Sequence, residues 1–492
     1  MVHDPPPLSG VLGAASTRAV GRAQTKIVAT IGPASEGRLP ELIEAGLSVA
    51  RLNFSHGEAD EHRRRADVIR KAARDTGRPI AILADIQGPK LRMGRFVESP
   101  VLLEEGDRIR IQQGDGTAQP GEVFFNFAGF LESAEPGHRI MLADGASEVV
   151  VESNEGDHLV CTVTRAGEVG DRKGVNMPDS DLAVKLPTDK DVVDVGIARQ
   201  IGVDMIGVSF VGSAADVQAI RDLAPEPQIV SKIERAIALE RLGEILRASD
   251  GIMVARGDLG VEVDLEQLPM LQKELIQQAL REGRFVITAT EMLESMIKSS
   301  RPTRAEVADV ANAVLDGTDA VMLSAETAVG KYPKEAIKVM NRIAYAVESS
   351  QRYQELPRIE WRASEPTFSN AIAVASVEAC EALGLSKIIA FTETGNTVRL
   401  LSRYRPRAEI IALTPHQRTL NLMSILAHVK PILYGREKNL EDMLWNASLF
   451  LQDKGLVRGG EQVLFVAGVP PGVARTTNLM KLHRIGERVR FH

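Results

Sequence analysis

Gln228-Ile-Val-Ser-Lys232-Ile-Glu234, then a helical segment, then Gly251-Ile-Met-Val-Ala-Arg256-Gly257-Asp258 form the stretch on which the reading of this chain turns. Its two apolar runs predict strands joined through a helix. Lys232 and Glu234 stand two residues apart, the strand repeat that points both side chains to one side, and Asp258 ends the next apolar run. One ammonium and two carboxylates thus fall at neighbouring strand ends. That set suits phosphoryl transfer, in which carboxylates and substrate oxygens hold Mg²⁺ and a lysine meets the charge of the moving group. Taken singly, each residue also fits a salt-bridged strand end.

The same unit, an apolar run followed by an amphipathic helical segment, recurs on either side. The runs are Thr25 to Gly32, Leu47 to Phe54, Ile80 to Gln87, Met205 to Phe210, Gln228 to Ile233, Gly251 to Arg256, Phe285 to Thr290 and Ala320 to Ala325. Near-continuous apolarity marks strands covered on both faces, and strand-helix alternation implies parallel pairing with right-handed crossovers. Eight such units close an α/β TIM barrel, (β/α)₈.

The gap from Gln87 to Met205 is too long for a loop in a compact domain. From about Pro89 to Lys185 it carries short alternating segments punctuated by glycine, including Arg108 to Gln112, Arg139 to Leu142, Glu148 to Val151 and His158 to Val163. This spacing predicts an inserted small all-β barrel or sandwich, placed to act as a lid over the catalytic face. After a helix from about Lys334 to Gln351, the runs Lys387 to Thr392, Glu409 to Leu413, Pro431 to Tyr434 and Gln462 to Ala467 alternate with helices such as Ser369 to Leu383. They predict an open α/β sandwich. The expected division is a disordered N-terminal arm over 1–24, the barrel over 25–88 and 186–354, the β insert over 89–185 and the C-terminal domain over 355–492. Thr303-Arg-Ala-Glu306 reads as a capping box opening a helix to Leu315.

With 59 Lys and Arg against 66 Asp and Glu, and a net charge of −7, the chain is no general binder of nucleic acid. Arg63-Arg64-Arg65 lacks interleaved aromatics and reads as a solvated helix face. No apolar run reaches membrane-spanning length and the N-terminus lacks a signal-peptide core, so a cytoplasmic protein without a membrane partner is expected. Cys161 and Cys380 have no disulfide or metal spacing.

Working residues of barrel enzymes lie at the C-terminal strand ends. Polar residues gather there: Arg51, Asn53, Ser55 and His56; Asp85, Gln87, Lys90 and Arg92; Ser209 and Phe210; Lys232 and Glu234; Arg256, Gly257 and Asp258; Thr290 and Glu291; Ser324 and Glu326. Together they describe one Mg²⁺-type pocket.

At these residues the chain resembles the pyruvate kinase family. The matching stretches are Thr25-Lys-Ile-Val-Ala-Thr-Ile-Gly-Pro-Ala-Ser35, Ala50-Arg-Leu-Asn-Phe-Ser-His-Gly57, Ser231-Lys-Ile-Glu234, Ile252-Met-Val-Ala-Arg-Gly-Asp-Leu-Gly260, Ala289-Thr-Glu-Met-Leu-Glu-Ser-Met296 and Met322-Leu-Ser-Ala-Glu-Thr327. The resemblance runs from about residue 25 to the C-terminus. It implies phosphoryl transfer from phosphoenolpyruvate to ADP, giving pyruvate and ATP, with Mg²⁺ or Mn²⁺ as cofactor, allosteric control and a homotetramer. It also implies that Lys232 stabilises the phosphoryl group in flight and that Glu234 and Asp258 are metal ligands. Phosphoenolpyruvate would be held by Arg51, the amides around Gly257 and Asp258, and Thr290, with Thr290 near enolate protonation. Asn53, His56, Arg92 and Lys190 match positions near the nucleotide phosphates. His56 also fits a capped loop histidine, and Arg92 and Lys190 also fit solvated charges at a lid hinge.

Family members that need K⁺ bind it at residues matching Asn53, Ser55, Asp85 and the backbone of Ile86, and carry Thr-Lys-Gly-Pro-Glu after the aspartate. This chain reads Asp85-Ile-Gln-Gly-Pro-Lys90. The expectation is that Lys90 substitutes internally for the cation, so K⁺ is not required.

Phe391-Thr-Glu-Thr-Gly-Asn-Thr397 follows a predicted strand and opens a helix. Thr392, Thr394, Gly395, Asn396 and Thr397 offer hydroxyls and amides to a phosphate, and the resemblance implies a phosphorylated effector there. A plain strand-helix turn is the alternative. Glu393 stands where responders to fructose 1,6-bisphosphate carry Lys and is expected to repel a phosphate, and Gly468 to Asn478 lacks the Trp-Arg of those members. A sugar or nucleotide monophosphate is therefore expected. Two other functions fit the barrel or the C-terminal region: a metal-dependent pyruvate-enolate aldolase or lyase, and an inactive metabolite-binding sensor. The insert with Arg92 and Lys190 argues against the first. Intact Lys232, Glu234, Asp258 and Thr290 argue against the second.

Overall fold

The computed structural model describes residues 21–127, 129–180, 182, 184–356, 367–470, 472 and 476–488. Each of the eight apolar runs contains a strand: β1 (Lys26–Thr30), β2 (Leu47–Asn53), β3 (Ala81–Ile86), β4 (Met205–Val208), β5 (Gln228–Ile233), β6 (Gly251–Ala255), β7 (Phe285–Ala289) and β8 (Ala320–Leu323). They pair in parallel in sequential order, and β1 meets β8 at Lys26 opposite Ala320, closing the barrel. Apolar side chains cover both faces. Val28, Val49, Leu83, Val230, Met253 and Ile287 form the inner cluster, while Ile27, Leu52, Ile82, Ile206, Ile229 and Ile252 pack outward.

The inner cluster continues into a second sheet, which explains how the lower end of the barrel is sealed. Its strands are β9 (Lys387–Phe391), β10 (Glu409–Thr414), β11 (Val429–Leu433), β12 (Gln462–Gly468) and β13 (Thr477–Arg484), in the order β11-β10-β9-β12-β13. Val398, Leu401, Met423 and Ile425 of this lobe share one buried cluster with the barrel's interior. The last strand pairs antiparallel to β12 and was not expected.

The insert between β3 and β4 forms a six-stranded sheet with two two-stranded sheets around one core. The expected segments are strands at Arg108–Gln113, Arg139–Leu142, Ser147–Asn154 and His158–Arg165. The short strands Val101–Leu103, Glu122–Phe125 and Val175–Asn176 were not read from the sequence.

Two expectations are corrected. The arm expected to be disordered over 1–24 is packed at its end: Arg22 Nη2 donates to Leu47 O at 3.0 Å, Ala23 N to Asn341 Oδ1 at 3.1 Å and Gln24 N to Glu348 Oε2 at 2.7 Å. Residues 1–20 lie outside the described residues. The Arg63-Arg64-Arg65 run, in α1 (Ala59–Thr76), is not a uniformly solvated face. Arg65 is buried and pairs with Glu36 and Glu61, because its helical position faces the loop after β1. The capping box is present, with the Thr303 hydroxyl and Glu306 carboxylate exchanging bonds at the start of Arg304–Leu315.

Candidate active site

The cleft lies at the C-terminal ends of β2 to β6. Arg51, Asn53, Ser55, His56, Asp85, Gln87, Lys90, Arg92, Ser209, Phe210, Lys232, Glu234 and Asp258 line it. Strand ends converge there because the barrel's tilt brings neighbouring strands to one rim.

Lys232 is the centre of the charge set. Its ammonium lies 2.7 Å from Glu234 Oε1 and 3.4 Å from Asp85 Oδ1, and it donates to Ser209 Oγ at 2.7 Å. Burial works against this charge, but Asp85, Glu234 and Asp258 outweigh it and hold the lysine's pKa above its ordinary value. Burial likewise dominates at Asp85, where it would raise the carboxyl. Lys232 and Arg51 overcome it and leave Asp85 below the usual carboxylate range. Arg51 Nε donates to Asp85 Oδ2 at 2.7 Å and its Nη1 to Thr30 Oγ1 at 2.8 Å, which fixes the guanidinium on the rim.

Glu234 is pushed up, chiefly by burial, with the like charge of Asp258 adding to it against Lys232. Its Oε2 accepts from Phe210 N at 2.7 Å. Its buried Oε1 has no hydrogen-bond donor at good geometry, although the lysine is close. A buried carboxylate oxygen left in that condition fits a metal cation as partner. Asp258 lies in the first turn of α2 (Arg256–Glu262). Among the described residues, no group of three or more His, Cys, Asp or Glu is arranged to hold a metal ion. Two carboxylates completed by substrate oxygens and water is the usual mode for Mg²⁺ rather than for a closed protein cage.

Thr290 follows β7 with φ +66°, and Glu291 follows with φ +55°. A β-branched residue in the left-handed region carries strain of about 1–3 kcal/mol, held only where its surroundings over-determine it. Arg256 supplies that restraint. Its Nε donates to Ala289 O at 3.2 Å and its Nη2 to Thr290 O at 2.7 Å, while Asp309 pairs with both of its Nη atoms. Gly257 N in turn donates to Thr290 Oγ1 at 2.8 Å, and that hydroxyl donates to Ala289 O at 2.6 Å.

The remaining expected residues divide. Asn53, Ser55, His56 and Arg92 line the cleft, with Ser55 N bonded to Asn53 Oδ1 at 3.2 Å. Arg92 Nη1 donates to Arg172 O of the insert at 3.0 Å. The Ile86 carbonyl accepts from Ser209 Oγ at 2.8 Å. Lys90 Nζ lies 3.7 Å from Asp258 Oδ1 and 3.2 Å from Asp144 Oδ1. Lys190 is turned to Phe54 O at 2.8 Å and Asp194 at 2.5 Å. Ser209 and Arg256 were placed at strand ends but given no role. Only the closed barrel shows them gripping Lys232 and the Thr290 backbone.

In the C-terminal lobe, Thr392, Thr394, Asn396 and Thr397 line a pocket with Tyr434, Arg436, Gly468 and Thr477. Gly395 N donates to Thr392 Oγ1 at 2.9 Å. Glu393 is not a bare repelling charge. Arg436 Nη2 and His416 Nε2 approach it at 2.7 and 2.6 Å, and these bonds, Arg436 foremost, hold its carboxyl below the ordinary value.

Fold and cleft together define a TIM-barrel protein with a lysine and carboxylates gathered at its C-terminal strand ends. The family model of the pyruvate kinase barrel domain matches residues 22–337, and that of the pyruvate kinase alpha/beta domain matches 370–483. A pyruvate kinase of Staphylococcus saprophyticus is 41% identical over 475 residues, covering 95% of this chain and 81% of the relative. One of Staphylococcus aureus strain USA300 is 40% identical over 476 residues, with the same coverage. The crystal structure of a pyruvate kinase from Cryptosporidium parvum has a TM-score of 0.86 at 35% identity, covering 94% of this chain and 96% of that one. The chain belongs to the pyruvate kinase family. The lyase and sensor alternatives gain no support from these matches. Among the described residues, no helix is long and apolar enough to cross a membrane.

Proposed function

We propose that this protein transfers the phosphoryl group of phosphoenolpyruvate to ADP, giving pyruvate and ATP. The observation that carries the reading is the charged, half-buried Lys232 held between Asp85, Glu234 and Ser209 at the cleft floor. The P–O bond of the enol phosphate breaks, a β-phosphate oxygen of ADP bonds phosphorus, and the enolate carbon takes a proton. Lys232 meets the charge on the moving group, an effect of several kcal/mol for a preorganised cation. Arg51, braced by Asp85 and Thr30, orients an anionic substrate. Glu234 and Asp258 would hold Mg²⁺, which when bound polarises the phosphoryl oxygens. Thr290 Oγ1, with its backbone clamped by Arg256, would pass the proton towards the enolate.

Lys90 would replace a monovalent cation as a tethered ammonium on the cleft that Asn53, Ser55 and Asp85 also line. In the C-terminal lobe a phosphate would meet the hydroxyls of Thr392, Thr394 and Thr397, and the Glu393–Arg436 pair favours a monophosphate over a bisphosphate. Residues 25–88 with 186–354, 89–185 and 355–492 would act as catalytic, lid and effector domains of a cytoplasmic homotetramer. The test is pyruvate formation from phosphoenolpyruvate, ADP and Mg²⁺, with and without K⁺. Product in both conditions is expected. No pyruvate from the wild type sinks the reaction, and turnover that appears only with K⁺ sinks the role of Lys90.

A further inference from the structure

Helix α2 carries Asp258 in its first turn and meets the insert at Asp258, Val261 and Glu262. At its start, Lys90 lies between Asp258 and Asp144 of the insert. A Cβ at Gly174 would overlap Asp144 Oδ1 and crowd Lys90 Cε at 3.0 Å, so both side chains would have to shift. In its last turn, the space that a Cβ on Gly145 of the insert would take lies 3.3 Å from Val261 Cγ1. At its end, Asn176 Nδ2 donates to Glu262 Oε1 at 2.9 Å. The other oxygen of Glu262 accepts from Ala236 N at 3.4 Å, two residues beyond Glu234. Asn176 is buried and lies on the strand Val175–Asn176, paired with Arg139–Leu142.

Glu262 therefore touches three elements at once: the insert, the helix bearing one carboxylate of the cleft and the chain just after the other. We propose that Asn176 and Glu262 form the latch that registers the insert on the catalytic helix, and that they are positioning residues for phosphoryl transfer. Neither belongs to the cleft lining. A side-chain amide meeting a carboxylate makes one directional bond, which fixes the register of two rigid elements better than a solvated ion pair does. The chemistry gains from it because small misplacement of a charged group, or entry of water, slows transfer.

The proposal rests on the phosphotransfer reading. The test compares Asn176→Ala, Glu262→Ala, the double variant and Glu262→Gln in the full chain. Each alanine variant is expected to lower kcat about 10-fold while KM for phosphoenolpyruvate stays within about twofold. The double variant should be no slower than either single one, since the two act as a unit. Glu262→Gln, which keeps an acceptor for Asn176, should restore most of the rate. Backbone hydrogen exchange without substrate should quicken at 139–145 and 174–177 in the alanine variants. Unchanged kcat, additive losses, or Glu262→Gln as slow as Glu262→Ala overturns the latch, as does quickened exchange throughout the barrel with a fall in Tm. If the wild type forms no pyruvate, the phosphotransfer reading fails, and the exchange comparison still decides whether the contact holds the insert.

Discussion

Two glutamates, one in each lobe, stand against cations and have opposite fates. Glu234 is 1% exposed and Glu393 is 17% exposed. Burial pushes the Glu234 carboxyl up despite a lysine at 2.7 Å, whereas Arg436 and His416 pull Glu393 down at a site open to water. Burial and neighbouring charge decide the sign together: desolvation outweighs one lysine at Glu234, where Asp258 adds a like charge, but not the Lys232 and Arg51 pair at equally buried Asp85. The buried glutamate gains from a further cation, and the exposed one is already satisfied within the chain. Under the proposed function, the cleft would take a divalent cation and the C-terminal pocket would disfavour a ligand with excess negative charge.

The largest expected effect tests the first half of that contrast. Lys232→Met removes the cation facing three carboxylates, so kcat and kcat/KM should fall together by at least about 10²–10³. Steady-state rates across phosphoenolpyruvate concentrations check this, and near-wild-type turnover would break the comparison. Glu234→Gln comes next. It keeps the shape and the bond from Phe210 N but removes the charge, so the Mg²⁺ concentration for half-maximal rate should rise about 10-fold or more. Chelation of the divalent ion in the wild type should stop turnover, with recovery on its return.

Lys90→Glu sharpens the contrast by changing charge at the cleft's rim. An ammonium beside Asp258 and Asp144 becomes a carboxylate, which like-charge repulsion disfavours. Activity in a buffer with only a bulky organic cation should drop about tenfold and recover with K⁺, a coupling of ordinary size. Equal loss with and without K⁺ would show that Lys90 only braces the insert.

The barrel was legible in the sequence because its strands are buried on both faces and read as unbroken apolar runs, as at Gln228–Ile233. The charge set was legible for a related reason: strand ends in this architecture share one rim, so Lys232, Glu234 and Asp258 could be placed together before any contact was seen. Short strands such as Glu122–Phe125 carry too few residues for a period to register. Strand β13 breaks the alternation at Leu479-Met480, so Leu479 and Leu482 fall on opposite faces and no period of two registers. The role of Arg256 was hidden for a different reason. It acts on the backbone carbonyls of Ala289 and Thr290, and carbonyls leave no mark in a sequence. The partners of Glu393 come from the loops after β10 and β11, so local reading saw a lone negative charge.

The smallest expected effect tests the other glutamate. Its folded pKa lies below the ordinary 4.5, so the pairing with Arg436 contributes stability that is fully present above the unfolded value and is lost as pH falls through the folded one. Glu393→Gln should therefore lower Tm slightly near neutral pH, by about 1 °C or less for an ion pair open to water. The difference from the wild type should close as the pH falls through the range in which the folded carboxyl takes up its proton. The same substitution removes the negative charge from the pocket and releases Arg436, so binding of a bisphosphate should strengthen more than binding of a monophosphate. Calorimetric titration of the two ligand classes against both proteins measures that ratio. If Glu393→Gln leaves the ratio unchanged, the carboxylate does not set effector charge, and the contrast with Glu234 reduces to one of burial alone.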